Sequence, residues 1–195
     1  MQKQQNYEII KLDWDTDFFG VKAAKINLNV AINERETEKI ISIVRSEQYE
    51  FITIINKKNN DSNNFMVKRF EGAFLADVNI QFVKKVKKNN FVTNNNNIEI
   101  KSNLKYYQRL VDITEKSFIY SRFYNDKNLK NGNKVYIEWI KNAFNRKDKY
   151  FCIYKKEKDI LGYILFSMKD NKLVIELIAV DKSIQSKRDR NKNTK

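Results

Sequence analysis

The chain has 195 residues, a formal net charge of +14 and no histidine, and 42% of its residues are hydrophobic. This composition is typical of a globular protein, and the lack of imidazole excludes Ser-His-Asp hydrolysis, Cys-His catalysis and His-ligated zinc. The single cysteine, Cys152, excludes an internal disulfide. It lies in the apolar run Tyr150–Tyr154, which favours a buried small hydrophobe over a nucleophile.

Strands and helices alternate in the first half of the chain. Period-2 and apolar runs predict four strands, at Tyr7–Leu12, Ala23–Val30, Tyr49–Ile55 and Leu75–Val86. Helical spacing of Ile40, Ile41 and Val44 predicts a helix over Glu34–Gln48. A shorter helix over Ser62–Phe70 could be capped by Asp61 or Ser62.

The second half begins with helices and ends with strands. Helices are predicted over Asn103–Ser117 and Asn133–Asn145, and strands over Tyr150–Tyr154, Ile160–Met168 and Leu173–Val180. Asp170-Asn171 is typical of a hairpin turn between the last two strands. The predicted fold is therefore α/β, with a mixed, largely antiparallel sheet and flanking helices.

Asparagine-rich stretches mark loops, and the one around residues 87–97 is the best domain boundary. We expect an N-terminal α/β subdomain over residues 1–93, a second domain over 98–187 and a basic tail over 188–195.

The charge and the hydropathy pattern limit the classes of partner and the location that the sequence allows. The apolar runs are too short to cross a bilayer and the first six residues are polar, so we expect no membrane span, no signal peptide and a cytoplasmic location. A basic chain favours an anionic partner, but most lysines are interspersed with acidic residues. The two concentrated runs, Lys84–Lys88 and Lys187–Lys195, lack the aromatics of an RNA-binding signature, so no specific nucleic acid is expected.

The apolar strand Leu173–Val180 leads directly into a polar loop that contains Gln185, Ser186 and Lys187. This order resembles the core of the GNAT superfamily of N-acetyltransferases, in which a strand ends in Ala-Val or similar before a Gln/Arg-x-x-Gly-x-Gly/Ala loop. Backbone amides of such a loop form an anion site for the pyrophosphate of coenzyme A, and the strand offers free backbone groups to pantetheine. The resemblance implies that Ile178, Ala179, Val180, Gln185, Ser186 and Lys187 contact acetyl-CoA.

The loop departs from the family where glycines are expected, because Arg188 and Arg190 stand at those positions. One permitted set of codons for residues 188–195, read in a shifted frame, encodes Gly-Ile-Gly, so a frameshift after Lys187 is our hypothesis. A natural basic tail is the alternative. The helix and strands that follow in the family are absent, so we expect an uncovered face and edge at Leu173–Val180, marginal folding and association through that strand.

Other segments resemble dTDP-fucosamine acetyltransferases and their relatives within the superfamily. They are Leu12-Asp-Trp-Asp-Thr-Asp-Phe-Phe-Gly20, Ser121-Arg-Phe123, Tyr136-x-x-Trp139-Ile140-x-Asn142-Ala143 and Ile160-Leu-Gly-Tyr-Ile-Leu-Phe166. The resemblance implies transfer of an acetyl group to the amine of a nucleotide-linked deoxysugar for surface polysaccharide, by direct attack. A homodimer is compatible with the resemblance. Whether the chain is active is left open, because the C-terminal elements of the family's core do not follow Lys187. Another amine acceptor, or a basic module for nucleic acid or anionic surfaces, is the alternative.

The site residues each have a second interpretation. Ser121 and Arg122 suit a substrate phosphate, or simply a surface loop between helices. Glu176 is either a proton acceptor or a surface carboxylate opposite Ile175 and Leu177. The aromatic residues Trp14, Phe18, Phe19, Tyr136 and Trp139 suit core packing, and Gly20 suits a tight turn. No catalytic residue and no metal ligand is assigned.

Overall fold

The computed structural model describes residues 6–86 and 95–185, which fall into two compact units, Met1–Ile80 and Gln81–Lys195. The predicted boundary at residues 93–98 falls partly outside the described residues and stays a prediction, and so does the tail at 188–195. A mixed α/β fold is confirmed, with two separate sheets in place of one. Within the described ranges, no helix has the length and apolar character needed to span a bilayer.

The first unit is built on a three-stranded sheet with order β1-β2-β3, here called the first sheet. Its elements are β1 (Tyr7–Lys11), α1 (Asp13–Phe19), β2 (Ala23–Leu28), α2 (Glu34–Ser46), β3 (Phe51–Asn56) and α3 (Asp61–Val67). β2 pairs antiparallel with β1 and parallel with β3. Ile26, Leu28 and Ile40 form its buried core, against which residues of β3 and α3 pack.

Local signals define the helices of this unit. Asn33 and Glu36 form a reciprocal capping box at the start of α2, which satisfies two backbone donors. At α3 the cap is Asn60, which accepts from Ser62 N, so the predicted cap at Asp61 or Ser62 is wrong by one or two residues. Asn is as good a cap as Asp or Ser because its amide oxygen reaches the same backbone donor.

The second unit is an antiparallel meander of order β4-β5-β6-β7, here called the second sheet, with helices packed on it. Its elements are β4 (Ile98–Ser102), α4 (Gln108–Ser117), α5 (Arg122–Asn125), a 3₁₀ turn (Gly132–Lys134), α6 (Val135–Ala143), β5 (Lys149–Lys156), β6 (Asp159–Lys169), β7 (Lys172–Val180) and α7 (Lys182–Gln185). Leu110, Ile113 and Ile140 of the helices pack with Phe151 and Leu165 of the sheet in one buried core. We call this side of the sheet the covered face.

The predicted β6–β7 hairpin is confirmed. Asp170 and Asn171 both have positive φ, 50° and 58°, as the mirror-image two-residue turn requires. The register then shifts within the hairpin, because Leu165 pairs with Leu177 whereas Phe166 pairs with Ile175. Glu176 is therefore the extra residue of a β-bulge, which simple alternation in the sequence does not reveal.

Two predicted elements are wrong in whole or in part. Leu75–Val86 has no regular secondary structure and its apolar side chains are exposed. A strand is stabilised by a paired neighbour, and this segment has none in the described part of the chain. The helix predicted from Asn103 begins only at Gln108, because Asn103 has a φ of 50° and its N–H donates to Arg146 O, which turns the chain.

Candidate functional site

The residues after β7 fold back onto the end of that strand. Asp181 N donates to Leu161 O over 2.8 Å, and the Gln185 side-chain amide donates to Val180 O over 2.7 Å. Ser117 Oγ, at the end of α4, donates to Ile113 O over 2.7 Å and lies 3.4 Å from the Val180 carbonyl oxygen. The structure thus brings Val180 and Gln185 together, and the predicted loop after Val180 contains the short helix α7, which ends at Gln185. Ser186 and Lys187, predicted to continue this loop, lie outside the described residues.

An ion pair holds this loop against α4. Arg109 Nη2 lies 2.7 Å from Asp181 Oδ2, and the same guanidinium donates to Ile160 O through Nε and Nη2 over 3.2 and 3.1 Å. The other oxygen, Asp181 Oδ1, accepts from Ser183 N over 2.8 Å. Hydrogen bonds from Ser183, followed by that from Arg109, lower the pKa of Asp181 to about 2. The carboxylate is therefore ionised at neutral pH and joins the loop, β6 and α4. We call this group the Arg109–Asp181 clamp.

Sequence reasoning missed the clamp. Arg109 and Asp181 are 72 residues apart, and no local pattern pairs them. A signal was present nonetheless: Asp181 stands directly after an apolar strand, where a carboxylate can accept from the backbone of the following turn.

The last residues of β7 lie on the outer strand of the second sheet. Ala179 is buried on the covered face, whereas Ile178 is about half exposed on the other side. In the described part of the chain β7 has a strand neighbour on one side only, β6, so backbone groups on its outer edge lack a ladder partner. Gly162 lies opposite Val180, and a Cβ on Gly162 would come within 3.0 Å of Ala179 O, so glycine permits this close approach.

The bulge places Glu176 away from solvent. Its carboxylate forms an ion pair with Lys149 Nζ, and both side chains are largely buried, at 13% and 15% exposure. The interpretation as a surface carboxylate is therefore wrong, because the extra residue of the bulge breaks the alternation on which it depended. Its role as a proton acceptor stays a prediction.

Ser121 and Arg122 lie at the start of α5. Ser121 Oγ accepts from Tyr124 N over 3.1 Å, which caps this short helix, and the Arg122 guanidinium lies 4.6 Å from the centre of the Phe123 ring. Ser121 is the fourth residue after Ser117, which touches the end of β7, so the two serines are at most about 14 Å apart along the chain. The contact of these residues with a substrate phosphate stays a prediction.

Glycine is required where α5 meets the turn before α6. A Cβ on Gly132 would lie 2.0 Å from Phe123 O, which no side chain can occupy. This close approach fixes α5 against the 3₁₀ turn and therefore fixes the segment that carries Arg122.

The prediction that the aromatic residues pack in a core holds for Phe19, which is buried, and in part for Phe18 and Tyr136. It is wrong for Trp14 and Trp139, which are 44% and 42% exposed. Phe19 is buried against Phe51 with ring centres 5.5 Å apart, and Trp14 stacks on Phe18 at 4.8 Å. Gly20 has a φ of 70° and ends α1, which confirms the tight turn. In the second unit, Tyr136 stacks between Phe118 and Trp139, at centroid distances of 4.2 and 6.0 Å.

Two further groups have shifted acidity. Burial raises the pKa of Tyr163 to about 12, and its hydroxyl bonds to Thr114 Oγ1, so the phenol is neutral at physiological pH. Burial also raises the pKa of the Cys152 thiol, which suits a small hydrophobe better than a nucleophile. Over residues 6–86 and 95–185, no cluster of three or more acidic or cysteine side chains is placed to hold a metal ion.

In the comparisons with known proteins, no protein-family model and no curated protein matches this chain.

Proposed function

We propose that the chain binds acetyl-CoA beside the end of β7 and transfers its acetyl group to the amine of a nucleotide-linked deoxy-amino sugar. The observation that carries the proposal is an edge strand, β7, that ends at Val180 and is followed by a turn into α7 that the Arg109–Asp181 clamp holds. A strand with an unpaired edge can hydrogen-bond an extended amide-containing ligand as an added strand would. Pantetheine is such a ligand.

The residues present fit one part of acetyl-CoA. The outer edge of β7 near Ile178 suits the pantetheine amides, whereas Val180 O already accepts from Gln185. Gln185 stands where the pyrophosphate loop of the family begins. The amide of Gln185 is engaged with Val180 O, so in this arrangement it orders the loop. Acetyl-CoA supplies an activated thioester when bound. The chain's part is to hold that group beside the acceptor amine.

The acceptor side of the proposal is supported by chain geometry and by residue chemistry. Ser121 and Arg122 follow α4, whose last residue Ser117 touches Val180 O. An arginine suits bidentate contact with the diphosphate of a nucleotide sugar. The amine attacks the thioester carbonyl directly, so a proton must leave the amine and one must reach the thiolate. No residue is assigned to either step, and Glu176 is engaged by Lys149.

Isothermal titration of the full chain with acetyl-CoA tests the proposal. We expect saturable binding that weakens several-fold in Asp181→Asn, because the loop loses the clamp. Asp148→Asn is the matched control, since Asp148 pairs with Arg146 at the surface and its loss should leave binding unchanged. The double variant Arg188→Gly, Arg190→Gly introduces the glycines of the family and should increase the affinity.

Absence of acetyl-CoA binding by a chain that is folded by circular dichroism would overturn the proposal. Salt-dependent binding to random DNA in the same preparation would then favour a basic binding module. If acetyl-CoA binds, a panel of amino sugars and their nucleotide conjugates identifies the acceptor, and turnover of simple amines only would point to another amine substrate.

A further inference from the structure

The second sheet has one face on the side opposite its helices α4 and α6, and several large side chains there are exposed. Residues paired across strands share a face, and successive residues alternate between faces. The register Ile100–Cys152–Ile164–Ile178 therefore places these four side chains together, on the side opposite the buried Phe151 and Leu165. We call this side the open face. Its most exposed members are Ile98, Ile100, Met168, Leu173, Ile175 and Ile178, each between 46 and 63% exposed.

The open face carries no charge between the ends of its strands. Its central positions are Tyr150, Cys152, Ile164 and Phe166, and the aromatic pair among them stacks at 5.3 Å. The chain as a whole is 32% charged, so twelve or so uncharged positions on one sheet face are a marked departure from its composition. Contiguous apolar surface of this kind marks an interaction site.

The size of the open face matches a protein interface. A large side chain presents about 200 Å², so six that are roughly half exposed offer on the order of 600 Å². A standard interface buries about 800 Å² on each partner, and homodimer interfaces are the more apolar class. The partly exposed residues at the centre of the face add to this area.

Two other parts of the chain carry apolar side chains and compete for this face. The described segment 74–86 has exposed Phe74, Leu75 and Phe82, and its cover of the face would leave the protein a monomer. The residues outside the described ranges contain three large apolar side chains, Met1, Phe91 and Val92, and are otherwise mainly polar or charged. A charged partner would be recognised by complementary charge, and the open face has none. We infer that the open face pairs with the open face of a second copy of this chain.

Such pairing is self-complementary, since the same patch serves both copies around a two-fold axis. Two sheets stacked face to face lie about 10 Å apart, a spacing that large aliphatic side chains fill. The charge distribution favours this contact as well. Two copies that each carry +14 repel, and they approach best through a surface that contributes no charge. The inference does not depend on the proposed acetyltransferase activity.

Sedimentation velocity of the full chain over a concentration series tests the inference. We expect a closed dimer at micromolar concentration. Ile100→Lys on β4 and Ile175→Lys on β7, at opposite edges of the face, should each weaken dimerisation at least tenfold. Ile55→Lys is the matched control, because Ile55 is a partly exposed isoleucine on the first sheet, and it should leave the dimer intact. Circular dichroism checks that each variant is folded.

A second measurement needs no substitution. Cys152 lies at the centre of the open face and is the sole cysteine of the chain, so its rate of alkylation by iodoacetamide should fall as the protein concentration rises. A monomer at all concentrations, or an alkylation rate independent of concentration, would overturn the inference. Loss of the dimer in Ile175→Lys alone would also overturn it, in favour of pairing between β7 edges, and open-ended aggregates would do the same.

Discussion

The two sheets of this protein differ in the residues on the face opposite their packed helices. The first sheet turns Ile9, Ile26 and Ile54 toward α2 and α3. Its other face mixes polar and apolar residues, namely Glu8, Ile10, Lys25, Asn27, Thr53 and Ile55. Asn27 Nδ2 even donates to Glu8 Oε2 across that face, over 3.2 Å. The second sheet has apolar side chains on both faces. Alternation of apolar and polar residues is the pattern of a sheet with one face in water, whereas apolar residues on both faces are typical of a sheet covered twice.

The difference shows that the residue types on the face without helices indicate whether that face contacts water or another protein layer. The first sheet has α2 and α3 on one side and a mixed face on the other, where Phe19 of α1 packs against Phe51. The second sheet is complete only with a second layer. Stability measurements on each sheet separate these two cases.

The largest expected effect is on the covered face of the second sheet. Leu165→Ala removes a fully buried side chain from the core beneath α4 and α6, and should lower the free energy of unfolding by about 2–5 kcal/mol. Ile175→Ala, at the edge of the open face, should cost less than about 1 kcal/mol in dilute monomer because half of its surface is already in solvent. Chemical denaturation of the two variants measures the loss in unfolding free energy for each. Equal losses would mean that Ile175 is buried in the monomer.

A buried amide in α3 holds the segment between β2 and α2. Asn63 is fully buried, and its side chain accepts from Ile32 N and donates to Val30 O and to Asn56 Oδ1. Asn63→Ala leaves these groups without partners and should cost about 1–3 kcal/mol, measured by thermal unfolding. Asn64→Ala, at the exposed neighbour, should cost less. A neutral Asn63→Ala variant would contradict the assigned bonds.

Acid should destabilise the second unit by protonating Asp181 and breaking its ion pair with Arg109. The pKa of Asp181 is lowered to about 2 by Ser183 and Arg109, so its stabilising effect is full above the unfolded pKa near 4 and is lost as the pH falls from 4 toward 2. The clamp is partly exposed, so its contribution is roughly 1 kcal/mol or less. The Tm difference between the native chain and Asp181→Asn should therefore shrink over that pH range. A difference that is independent of pH would exclude the clamp as its cause.

The smallest expected change in the free energy of unfolding comes from a substitution on the face of the first sheet opposite α2 and α3. Thr53→Glu places a carboxylate opposite Lys25, and should change the free energy of unfolding by no more than about 0.5 kcal/mol. The same kind of change on the open face, Ile178→Glu, should leave the monomer folded and weaken the dimer. Thermal melts and sedimentation of both variants complete the comparison, and a large loss in Thr53→Glu would show that this face is also an interface.

The sequence predicted six of the seven described strands and missed β4, Ile98–Ser102, whose partner β5 lies far along the chain. The apolar run Leu173–Val180 and the turn at Asp170-Asn171 contain enough information to place β7 and its hairpin. The helix at α2 was also predictable, since its apolar stripe and its neighbour Asn33 agree. Leu75–Val86 was not, because a strand pattern gives no information about whether a partner edge is within reach.

The candidate site was only half accessible from sequence. Val180 and Gln185 are five residues apart, and their contact follows from a tight loop. The partners of Asp181 and Glu176 come from α4 and β5 and depend on the tertiary fold. The bulge at Glu176 was also invisible, since it inserts one residue into a regular alternation without a glycine to mark it.

The connections between strands carry a consequence for the order of folding. β5, β6 and β7 are joined by turns of two residues, whereas β2 and β3 pair in parallel across a crossover that contains the whole of α2. Local hairpins close in microseconds, and parallel pairing waits for a long loop to close. We therefore expect the meander to form early during refolding. Its apolar surface is then exposed before β2 and β3 have paired.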